Sequence, residues 1–114
     1  MTEFRFVYIT TETEADALAL GRVLVGERLA ACINVLPPIK SVYWWHEKVA
    51  EGQEVALIAK TRAALMPALT ERVKAWHPYD CPCIVSLPIA ANEGNGDFLQ
   101  WIAEETAAAK QGGA

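Results

Sequence analysis

Tyr43-Trp44-Trp45 places three large aromatic side chains in succession, inside a stretch that otherwise reads as a β-strand. Successive residues of a strand leave on opposite faces. Tyr43 and Trp45 therefore share one face, and Val42, Trp44 and His46 share the other. A small antiparallel sheet ordinarily packs one face and leaves the other to water. A strand that is bulky on both faces needs a second covering, and another copy of the same chain is the simplest one. Aromatic residues are enriched in interface cores, so Tyr43, Trp44 and Trp45 are the candidate self-association residues. The plainer alternative is a single Trp lying on the surface, since isolated exposed apolar residues are ordinary.

Composition agrees with an oligomer. The hydrophobic fraction is 53% in a chain of 114 residues, above the average for soluble domains. That length predicts one domain, with residues 1–107 forming it and 108–114 a flexible tail. The formal net charge of −4 comes without a basic cluster. Nucleic acid and anionic lipid are poor partners for such a chain, because Lys and Arg carry that affinity. No apolar run is long enough to cross a bilayer, and the N-terminal residues lack the pattern of a signal peptide. Three cysteines fit a reducing compartment better than a disulfide framework. The expectation is a cytoplasmic protein.

Two periods alternate along the chain. Phe4 to Ile9 is a short strand apolar on both faces. Thr11 and Glu14 make a Thr-x-x-Glu capping box. The helix behind it carries Ala17, Leu20, Gly21 and Leu24 on one stripe and runs to about Arg28. Cys32 to Leu36 is a second strand, interrupted by Pro37-Pro38 and resumed from Ile39 to Trp45. A turn near Glu47-Lys48 leads to an antiparallel partner over Glu54 to Lys60. A second helix follows Thr61, with Pro67 in its first turns and Leu65, Leu69, Val73 and Trp76 at helical spacing. His77-Pro78 ends it. Pro82 to Ile89 is a fourth strand, and Asp97 caps a last helix with Phe98, Trp101 and Ile102 on its apolar side. The order β-α-β-β-α-β plus a terminal helix predicts a ferredoxin-like α+β fold. Its helices cover one face of an antiparallel sheet and leave the other bare, a second reason to expect self-association.

Motifs for phosphate or dinucleotide binding and the nucleophile elbow are absent from the sequence. Cys81 or Cys83 with His77 and Asp80 resembles a nucleophile with its base. All four lie within one short segment, which leaves little room for a substrate, so the expectation is not an enzyme. The same segment, His77-Pro-Tyr-Asp-Cys-Pro-Cys83, offers a soft-metal reading. On a strand, Cys81 and Cys83 face one side, and thiolates with an imidazole suit Cu(I) or Zn. His77, Cys81 and Cys83 are the candidate metal ligands. Buried cysteines acting as small hydrophobes and a histidine placed at a helix end remain the alternative. Cys32, in an apolar strand, is expected to be buried and unreactive. Lys60-Thr61-Arg62, where a strand hands over to a helix, could hold an anion or be a solvated basic turn.

Several runs together resemble the CutA family of divalent-cation tolerance proteins. They are Arg28 to Val35, Ser41 to Trp45, Ala59 to Arg62, His77 to Asp80 with Pro82, Leu87-Pro88, and Leu99 to Trp101. The resemblance extends from Phe6 to about Ala103. It implies a ferredoxin-like fold, a tight homotrimer similar to that of PII signalling proteins, and a role in tolerance to copper and other divalent metals without an established reaction. PII-type trimers hold ligands in clefts between subunits. By that likeness Lys60, Arg62 and Tyr79 become candidates for binding an anionic metabolite. The chain departs from the family at the proposed metal contacts. Thr10 and Trp76 stand where some members have cysteine and histidine, leaving His77. Cys83 and Cys81 stand where many members have glutamate and an apolar residue. The expectation is therefore a trimeric protein that binds copper or another divalent ion and needs no organic cofactor. A metabolite sensor and a trimer that scaffolds another protein are the alternatives.

Overall fold

The computed structural model describes residues 2–107; the expected tail at 108–114 lies outside them. Its elements run β1 (Phe4–Thr11), α1 (Glu14–Gly26), β2 (Cys32–Val35), β3 (Ile39–Trp45), β4 (Lys48–Arg62), a single 3-10 turn (Ala63–Leu65), α2 (Met66–Trp76), β5 (Ile84–Ile89) and α3 (Gly96–Glu105). The main sheet has the order β2-β4-β1-β5, all antiparallel, and β3 pairs with the outer half of β4. With β2 and β3 counted as one strand broken at Pro37-Pro38, this is the ferredoxin-like arrangement.

Register assigns the two faces. The row Val35, Leu57, Ile9 and Ile84 crosses the sheet on one side. Leu20 and Leu24 of α1 and Leu69 and Val73 of α2 pack there with it in one core. On the other side run the rows Cys32, Lys60, Phe6, Leu87 and Asn34, Ile58, Tyr8, Val85. Among the described residues only α3 packs on that side, with Leu99 and Ile102 buried against Phe4 and Ala31. Val85 and Leu87 remain 53% and 59% exposed, so the β5 side of this face is bare apolar surface.

β4 is longer than expected, because its hairpin with β3 closes tightly. Trp45 pairs directly with Lys48. The two residues between them, His46 and Glu47, both take positive φ, at 48° and 64°. This is the backbone of a two-residue type I′ turn, one position earlier than the expected Glu47-Lys48. The hairpin stands off the core, so Trp44 and Val49, paired across it, are 73% and 58% exposed.

Five local expectations are corrected. Thr13, not Thr11, caps α1, its Oγ accepting from the Asp16 N–H at 3.1 Å. Thr11 belongs to β1, and its hydroxyl is held at the Thr13 and Val55 carbonyls. Asn95, not Asp97, caps α3. The buried stripe of α3 is Leu99 and Ile102, while Phe98 and Trp101 stack on each other, both partly exposed. β5 begins at Ile84 rather than Pro82, because Pro82 has no N–H to give to a ladder. Cys32 is half-buried on the bare face, not enclosed in the core.

Candidate functional site

At the hairpin end of the bare sheet face lies a cleft of about 720 Å³. Its floor is Tyr8 and Thr10 of β1. Ser41, Tyr43 and Trp45 of β3 and Gly52 to Glu54 of β4 form one wall. The segment from Pro78 to Cys83, between α2 and β5, forms the other. The pleat makes this division. Ser41, Tyr43 and Trp45 alternate with Val42 and Trp44, so the first set turns toward the cleft and the second away. The aromatic triplet therefore does two jobs: Tyr43 and Trp45 line the cleft, and Trp44 with Val42 and Val49 faces outward. The Tyr43 phenol oxygen lies 3.7 Å from where a Cβ on Gly52 would stand, an ordinary contact distance.

His77 fixes the second wall. It follows the last residue of α2 and turns inward to 7% exposure. Its Nδ1 accepts the Tyr79 N–H at 3.2 Å. The proton therefore sits on Nε2, which donates to the Thr10 carbonyl at 2.8 Å. One neutral imidazole thus ties the segment bearing Tyr79, Asp80 and Cys81 to the floor of the cleft. Both ring nitrogens are used by backbone groups, which leaves no lone pair for a metal. His77 is a positioning residue in this structure and does not join the two thiols.

Cys83 continues the line of β5 and meets Thr10. Burial pushes its thiol above the ordinary value of 9.0, the Glu54 carboxylate adds to that, and a hydrogen bond with the Thr10 side chain partly opposes it. Cys81 is exposed at the rim. The two thiols therefore open onto one cleft, though from an irregular segment instead of a strand face. Tyr79 is also raised above its usual 10.0, first by burial and then by Glu54, Glu12, Tyr43 and Asp16. Glu54 acts on both groups. Among the described residues no three His, Cys, Asp or Glu side chains are placed to hold one ion.

Lys60 and Arg62 lie elsewhere, beside α3. Lys60 donates to Asn34 Oδ1 at 2.8 Å and sits 5.6 Å from the centre of the Phe98 ring. Arg62 donates to both the side chain and the carbonyl of Thr106, at the C-terminal end of α3. Both cations thus serve the packing of that helix. Neither lines the cleft with Tyr79, so within one chain these three candidates lie apart, and a site that joined them would need a second subunit. The sequence reading missed Glu54, Ser41 and Gln53. The signal for Glu54 was its parity: it is two residues before Ala56, which pairs with Thr10, so it shares the face of Tyr8 and Thr10.

The raised Cys83 and Tyr79 groups have a consequence for stability. Each is harder to ionise in the folded chain than in the unfolded one, so the unfolded state releases its proton first as pH rises. Stability falls with pH wherever the folded state holds more protons. Urea midpoints should therefore change little between about pH 7 and 8 on account of these groups and decline above the ordinary thiol value of 9.0. Cys83→Ser should make the decline shallower. An unchanged slope in that variant would show that the Cys83 environment is misassigned.

The arrangement defines a class: ferredoxin-like α+β proteins with an open apolar sheet face and a cleft under a projecting hairpin. Residues 5–105 match the family model for the CutA1 divalent ion tolerance protein. The chain is 49% identical over 100 residues to the divalent-cation tolerance protein CutA of Thermus thermophilus, covering 88% of this chain and 95% of that one. The solved CutA1 structure from Oryza sativa superposes with a TM-score of 0.88 at 42% identity, covering 93% of this chain and 95% of that one. The structure of the periplasmic divalent cation tolerance protein CutA from Archaeoglobus fulgidus gives 0.86 at 38%, covering 91% and 99%. The chain belongs to the CutA1 divalent ion tolerance family. That name describes tolerance to cations and no reaction. No helix among the described residues is long and apolar enough to cross a membrane.

Proposed function

We propose that this protein is a cytoplasmic homotrimer that contributes to metal tolerance by binding a soft ion, copper foremost, through Cys81 and Cys83. The observation that carries the reading is the lining of the cleft. It brings together two thiols and the Glu54 and Asp80 carboxylates without a single Lys or Arg. Such a lining favours cations and opposes the anionic metabolite of the sensor reading. Thiolates select Cu(I) over harder ions. Two of them from one chain are fewer than a structural zinc site requires, which places copper ahead of zinc. Self-association is supported by two exposed apolar patches, Val42, Trp44 and Val49 on the outer side of the hairpin and Val85 and Leu87 on the bare sheet face, since such patches mark interaction surfaces.

Cu(I) competition against a chromogenic chelator tests the metal reading. Wild type should take copper from the chelator, and the Cys81→Ser/Cys83→Ser double variant should not. Cys83 holds its proton more firmly than a free thiol, so the ion must displace it. Affinity should drop by up to about tenfold per pH unit for each proton displaced as the solution is acidified. Equal affinity in wild type and double variant, with the oligomer intact, would return both cysteines to a packing role.

A further inference from the structure

The cleft is far larger than a metal ion needs. Its 720 Å³ falls within the ~300–1,000 Å³ of sites for small organic molecules. Much of its wall is also of a kind that soft-ion ligation does not use. Tyr8 rises from the sheet, Tyr43 and Trp45 from the hairpin, and Tyr79 from the segment opposite. Aromatic faces carry the negative part of a quadrupole and attract a cation that comes within ~6 Å of the ring centre. Glu54 and Asp80 add formal negative charge on the two walls.

We propose that the cleft is a binding site for an organic cation, an alkylated ammonium compound, whose charge is enclosed by Tyr8, Tyr43, Trp45 and Tyr79 and balanced by Glu54 and Asp80. This goes beyond the soft-ion reading and does not rest on it, since it draws on the rings and carboxylates of the cleft and not on thiol ligation. An anion finds no cationic side chain there. A neutral apolar molecule would leave the two carboxylates facing it without a counter-charge. A small, strongly hydrated inorganic ion would leave the rings uncovered. An alkylated ammonium answers all three, because it is large, weakly hydrated and positive. His77 is the positioning residue, since it anchors the wall that carries Tyr79 and Asp80 to the floor at Thr10.

Titration of the full chain with tetramethylammonium, followed by NMR, tests this. The Trp45 indole N–H and the Tyr79 amide should shift in a saturable way. tert-Butanol, of similar size but uncharged, should bind at least about tenfold more weakly, because the attraction is to charge. Glu54→Gln should weaken tetramethylammonium several-fold, while Lys60→Gln, outside the cleft, should leave it unchanged. A quaternary ammonium offers a thiolate no metal to ligate, so its binding is read independently of the Cu(I) competition. The comparison of the two ligands on wild type holds even if a variant folds poorly. No saturable shift, or equal affinity for the charged and uncharged ligands, would overturn the proposal. So would an unchanged affinity in Glu54→Gln.

Discussion

Trp44→Ala should dissociate the assembly. Trp44 is 73% exposed in the single chain and shares the outward side of the hairpin with Val42 and Val49. This side has no core of its own to pack against. Covering it with a second copy would bury the ring, and removing a buried Trp costs about 3–5 kcal/mol. In an interface a truncated aromatic anchor shifts the association constant by a comparable energy. Light scattering on dilute protein should show wild type as a trimer at micromolar concentration and Trp44→Ala as smaller species. Tyr43→Ala, on the cleft side, should disturb assembly less. A wild type that is monomeric at micromolar concentration would remove the basis for the trimer.

Leu57→Ala should carry the largest loss of stability from a single core position. Leu57 sits in β4 between Val35 and Ile9, on the face covered by α1 and α2, and is fully buried. Its removal leaves a void in contact with the core of both helices. Losses of this kind cost about 2–5 kcal/mol, depending on how far the site collapses. Urea unfolding at one fixed protein concentration is the measurement, because oligomer stability depends on concentration. A change below about 1 kcal/mol would mean that the helix-covered face is not the packed one.

The order of elements was legible in the sequence because the hydrophobic period switches cleanly between two and 3.6. What escaped depends on contacts distant in the chain or on turns without a sequence signature. His46-Glu47 is not a typical pair for a type I′ turn, so the hairpin's closing position slipped by one. Thr11 and Thr13 are both plausible caps, and the choice is made by how far β1 runs beside Val55. The α3 segment carries two apolar stripes, and Phe4 and Ala31 decide that Leu99 and Ile102 face inward.

The site shows the same limit. Cys81 and Cys83 stood out by spacing, and they do open onto one cleft. Treating His77 as their companion ignored the Thr10 carbonyl, a partner 67 residues away. Lys60 and Arg62 looked free because Asn34 and Thr106 are remote in sequence. The aromatic triplet was visible from the first, but only the register of β3 on β4 separates its cleft side from its outer side.

The central claim is a trimer whose clefts hold a soft cation through paired thiols, and native mass spectrometry of the whole protein after Cu(I) loading reads both parts at once. The account predicts a trimer bearing copper in wild type, and a copper-free trimer for Cys81→Ser/Cys83→Ser. A monomer, or the same copper content in wild type and double variant, would contradict it.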